Sequence, residues 1–127
     1  IMSYTSVNRV GTDHSEWLKG LDFYKDELSF MSTRLGEVAM KNTSFESRQG
    51  MEHFQNQFIL QRNNIDELKH EVKQYVHLVA NESQEHVGHV DTGTLAEKTV
   101  LQEKYDSLEK IMKDLRQEFN EYLAKWM

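Results

Sequence analysis

The sequence predicts an all-α fold, an up-down-up antiparallel bundle of three long helices with heptad-like seams, open to completion by dimerisation. Three observations point there. Apolar residues recur at alternating spacings of three and four along three long stretches, the mark of helices that bury one face. The 127 residues contain no proline, where about six would be expected at average usage, so little of the chain is given over to loops. Turn chemistry gathers at only two places, Asn42-Thr43-Ser44 and the stretch from Gly88 to Gly93.

The first seam reads Trp17, Leu21, Tyr24, Leu28, Met31, Leu35, Val38, with Asn42 its first polar interruption. Asp13 followed by Glu16 has the form of a capping box, in which the carboxylate accepts from first-turn amides. A helix is therefore expected over about 13–42, preceded by an extended segment, 1–12, that lays Tyr4, Val7 and Val10 against the bundle. Residues 13–127 read as a single helical-bundle domain.

The second seam runs Met51, Phe54, Phe58, Gln61, Ile65, Leu68, Val72, Tyr75, Val79, and only Gln61 breaks it. Thr43 or Ser44 offers the cap and Gly88 the stop, for a helix over about 44–87. Gly50 weakens its first turns by about 1 kcal/mol. Gln61 is expected at a partly wet edge, with a register-setting contact to Tyr24 as the alternative. The third seam reads Leu101, Tyr105, Leu108, Met112, Leu115, Phe119, Tyr122, Trp126. With Thr94 and Glu97 as a capping box, this helix is placed at about 94–126. Asp106/Lys110, Glu109/Lys113 and Glu121/Lys125 have the spacing of acid-before-base pairs on its outer face. Short connections make successive helices antiparallel.

Charge and composition exclude several classes of function. Fifteen Lys+Arg against 21 Asp+Glu leave a net charge of −6, which argues against nucleic acid or an anionic membrane as partner. No apolar run reaches the roughly 18–20 residues of a membrane span. The N-terminus, which opens Ile1-Met2, lacks the basic start and apolar stretch of a secretory signal, so a cytoplasmic protein is the default expectation. Without cysteine there is no disulfide and no thiolate ligand. The six glycines are scattered and build no phosphate loop, and carboxylates on solvated helix faces are poor acids or bases. A non-enzymatic chain is favoured, and enzymatic activity is left undecided.

Two candidate sites follow. Glu82, Glu85, His86, His89 and Asp91 cluster at the second turn, and antiparallel topology brings Asp13 and His14 to the same end of the rod. No cofactor is expected by default. The alternative is a metal-binding or sensory bundle, in which these nitrogen and carboxylate donors hold Zn²⁺ or another transition metal. The same histidines would also titrate in mild acid. His53, His70 and His77 lie off the seam and read as solvated.

Phe23 and Phe30 form the second candidate. They are seven apart, about 130° around helix 1 from the centre of its seam. On that face they bind a protein partner or a second copy of the chain, unless residues 1–12 or the rotation of the helix cover them. The leading functional expectation is an interaction or structural module that works through its helix faces.

Overall fold

The computed structural model describes the backbone of residues 5–86, 89–90 and 92–127, and the side chains of 14–81 and 95–127. Among the described residues, three helices account for nearly all of the chain: α1 (Val7–Lys41), α2 (Phe45–His86) and α3 (Thr92–Trp126). Two short strands, β1 (Thr5–Ser6) and β2 (His89–Val90), pair antiparallel, with Thr5 opposite Val90 and Ser6 opposite His89. At 1.5 Å per residue the 42 residues of α2 extend about 63 Å, so the bundle is a rod. Among the described residues no helix is long and apolar enough to cross a membrane.

Contacts between helices establish the up-down-up order. Asp22, Lys25 and Ser29 of α1 meet Lys69, Asp66 and Arg62 of α2, in reversed sequence. Glu46, His53 and Glu71 of α2 meet Lys125, Glu118 and Lys104 of α3, again reversed. Trp17, Tyr24 and Glu27 of α1 meet Gln102, Glu109 and Arg116 of α3 in the same direction. The outer helices are therefore parallel to each other and antiparallel to α2.

The three seams close on one core. Every α1 seam residue from Trp17 to Val38 is buried, and so are Phe54 to Val79 on α2 and Leu101, Leu108, Met112, Leu115, Phe119 and Tyr122 on α3. Met51, Tyr105 and Trp126 are partly buried against that core. Toward the α1–α2 turn the core becomes aromatic. Phe119 meets Phe54 and Phe58 edge-on at centroid distances of 5.2 and 5.3 Å, and Phe54 contacts Tyr122 at 5.1 Å.

The extended segment expected over 1–12 is corrected from Val7 onward, where α1 begins; among the described residues of that stretch, Thr5–Ser6 are strand, and residues 1–4 lie outside the described residues. The three/four spacing in fact runs back through His14 and Val10 to Val7, and the polar His14 in a seam position hides it. Gly11 costs the helix about 1 kcal/mol without ending it. Asp13 thus lies inside α1 rather than at its cap, and residues 7–12 carry the helix axis onward instead of folding back over it. α3 likewise starts two residues before Thr94, at Thr92.

At the other end Ser44 is the α2 cap. Its Oγ accepts from the Ser47 amide at 3.2 Å, and the Ser47 hydroxyl donates back to the Ser44 carbonyl at 3.0 Å. Asn42 closes α1 by donating from Nδ2 to the Val38 carbonyl at 3.1 Å and to the Trp126 carbonyl at 2.7 Å, which ties the ends of α1 and α3 together. Gln61 is not at a wet edge. It is 4% exposed, and its Oε1 accepts from Asn64 Nδ2 within α2 rather than from Tyr24. The charged residues of α3 also choose other partners than the helical pairs expected: Lys125 takes Glu46, Glu109 takes Tyr24 and Asp106 takes Gln102.

Gly50 has a packing reason to be small. A Cβ at this position would overlap the ring of the buried Tyr122, whose hydroxyl donates to the Ser47 carbonyl at 2.8 Å. Gly20 stands in the same relation to Tyr105, whereas a Cβ on Gly36 would meet nothing within 4 Å. Opposite outcomes are therefore expected in chemical denaturation. Gly36→Ala should gain about 0.5–1 kcal/mol from helix propensity. Gly50→Ala should lose about 1–3 kcal/mol, as overpacking outweighs the same propensity gain. Equal shifts for the two variants would show that Tyr122 moves aside freely. Ser44→Ala should cost about 1 kcal/mol through loss of the cap.

Candidate functional site

The expected metal cluster falls largely outside the described residues. That holds for the side chains of Glu82, Glu85, His86, His89 and Asp91, and for Asp13. The backbone shows that α2 ends at His86 and that His89 pairs with Ser6. His14 is not at that turn. In the register set by Asp22–Lys69 and Lys25–Asp66 it lies level with residues 77–78. That is about 12 Å down the axis from His86 at 1.5 Å per residue. The early start of α1 causes this, because it raises the end of the rod two turns above His14. Among the described residues no group of three His, Asp or Glu side chains is arranged to hold a metal ion. His70 and His77 are exposed, and His53 Nε2 stands 2.7 Å from Glu118 on the surface.

Phe23 and Phe30 project from the bundle with 59% and 67% of their surface exposed. Rotation of α1 does not bury them, since its face is set by seven buried seam residues. They flank Glu27, which accepts two bonds from Arg116 of α3 at 2.5 and 2.8 Å. This bidentate pair is partly shielded, with Glu27 accepting in fork geometry, and the carboxylate holds the guanidinium even further toward its charged form. The phenylalanines therefore stand at the α1–α3 side of the rod, over a rigid polar tie.

Sequence reasoning missed a groove between α2 and α3. It comprises two adjoining cavities of about 510 and 250 Å³ that share Glu71, Val100 and Lys104. Buried Leu68 and Leu108 form its floor, and Val100, Ile111 and Leu78 stand in it with 49%, 42% and 37% of their surface exposed. A signal was available: each of these three residues directly precedes a seam residue, Leu101, Met112 or Val79. Such positions flank the seam and line the valley between neighbouring helices. A second groove, about 600 Å³, lies between α1 and α2 beside Gly36, Phe58 and Ile59, with Arg48, Glu52 and Arg62 on its walls.

Tyr24 is a strongly perturbed titratable group of the core. Burial pushes its phenol well above the ordinary tyrosine range, and the nearby Tyr105 and Glu109 add to the shift. Its hydroxyl donates to Glu109 Oε2 at 3.2 Å, and the Tyr24 and Tyr105 rings are 6.3 Å apart. Burial also raises Tyr105 and Tyr122. The folded chain thus keeps these phenols protonated while the unfolded chain ionises at the ordinary value of 10.0, so their contribution to stability is full below pH 10.0 and is lost as pH rises beyond it. Thermal unfolding followed by circular dichroism should show Tm dropping steeply above that pH. Tyr24→Phe should flatten the drop, and an unchanged alkaline slope would assign it elsewhere. No family model matches the chain, and no curated protein or solved structure matches it either.

Proposed function

We propose that this chain is a non-enzymatic helical-bundle module that acts by docking protein surfaces against its helix faces. One observation carries the reading: Phe23 and Phe30 stay exposed on one face of α1 although the core is already closed without them. Two aligned aromatic rings two turns apart, about 10 Å, expose apolar surface that water disfavours and a partner helix would cover. The polar groups around them support the same reading, because they tie helices to one another. Trp17 Nε1 donates to Gln102 at 2.9 Å, Tyr24 to Glu109, and Arg116 to Glu27. A scaffold held this way presents its faces without rearranging.

The simplest partner for the phenylalanine face is a second copy of the chain, which would complete a larger bundle about α1. Sedimentation of the wild type and of a Phe23→Glu/Phe30→Glu variant tests this. A wild-type dimer that becomes monomeric, with helicity retained and Tm lowered only by the stabilisation that dimerisation supplied, is the expected result. An unchanged mass in solution for the variant would remove self-association through this face.

A further inference from the structure

We infer that the groove between α2 and α3 is a docking site for a basic amphipathic helix of another protein. The inference rests on the reading of this bundle as an interaction module, but it concerns a different face from that of Phe23 and Phe30. Of the three valleys on the rod, this one has both an apolar floor and walls of a single dominant sign. Glu67, Glu71, Glu97 and Glu103 line it against one cation, Lys104. Lys104 is already engaged by Glu71 at 2.7 Å and is also held charged by the nearby Glu67, so the groove keeps an excess of carboxylates, with Glu97 and Glu103 outside that contact. The α1–α2 groove carries Arg48 and Arg62 beside Glu52 on its α2 wall, and the phenylalanine face flanks a closed Glu27–Arg116 pair, so neither selects the charge of an occupant as clearly.

Shape and length narrow the occupant further. Ile111 and Val100 are eleven residues apart on α3, three turns or about 16 Å, and Leu78 extends the apolar line along α2. An entering helix of about four turns would set apolar side chains on this line at i, i+4, i+7 and i+11, with lysine or arginine beside them facing the glutamates. A second copy of this chain is disfavoured, because two such grooves face to face would oppose carboxylates on a chain that already carries −6.

The probe is a labelled synthetic peptide of about 18 residues with that leucine spacing and lysines on its flanks, beside a twin with glutamate in place of lysine. Fluorescence anisotropy against the full chain should show saturable, salt-sensitive binding of the lysine peptide and none of its twin. Val100→Glu/Ile111→Glu should weaken binding by roughly tenfold or more although it adds negative charge, because it breaks the exposed apolar line that the entering helix would cover. Glu67→Lys/Glu103→Lys should weaken it comparably, and Phe23→Glu/Phe30→Glu should leave it unchanged, whatever happens to self-association. The inference is overturned by no saturable binding up to about 1 mM. It is equally overturned if the Val100→Glu/Ile111→Glu variant binds as tightly as wild type, or if that variant breaks a wild-type dimer in sedimentation.

Discussion

Helix α3 has no short covalent turn to set its register against α1, so side chains must set it, and two tyrosines seated on glycines do so. Tyr105 occupies the space that a Cβ on Gly20 would need, and Tyr122 does the same at Gly50. One contact locks α3 to α1 and the other locks it to α2, at well-separated points along the rod. The Tyr122 hydroxyl then satisfies the Ser47 carbonyl, while Asn42 reaches the Trp126 carbonyl. The end of the bundle near the α1–α2 turn is thereby closed by hydrogen bonds as well as by the phenylalanine cluster. A helix-weakening glycine is retained because the close approach it allows is worth more to the packing than its propensity costs.

Exposed ion pairs such as Lys25–Asp66 and Lys69–Asp22 add little stability one by one, since water and salt screen them. Their effect is on direction: each is satisfied only in the antiparallel register of α1 and α2. The Arg116–Glu27 fork does the same for the parallel pair, with a better shielded carboxylate. Because these groups are spent between helices, the three valleys on the surface end up with different charge. One has mixed sign, one is capped by a closed fork under two phenylalanines, and one remains acidic over an apolar floor. That asymmetry gives the faces of one rod different charge and different apolar character.

The helices and their seams were legible because burial on a helix repeats every three or four residues, and that period is written directly in residues such as Leu21, Tyr24 and Leu28. The stop at Asn42 was legible for the same local reason, and so was a cap at Thr43 or Ser44, of which the fold uses Ser44. The start of α1 was not, since His14 stands in a seam position and reads as an interruption. Gln61 misled in the other direction: its polarity suggested an edge, but Asn64 one turn on satisfies its carbonyl oxygen, so it can be buried. Phe23 and Phe30 were identified as an exposed pair by periodicity alone. The groove of Leu78, Val100 and Ile111 was not, because a groove belongs to two helices.

From its sequence alone, this chain is committed to three long helices, to one buried face on each and to an acidic surface, all consequences of local spacing and composition. Tertiary structure alone decides which charges are left over. Lys125, Glu109 and Asp106 could have paired along α3, and only the approach of α1 and α2 directs the first two elsewhere. The positions of His14 below the turn, of Tyr122 against Gly50 and of the glutamates around the α2–α3 groove are of the same kind. Each depends on the axial register between helices, a long-range quantity that no single helix encodes.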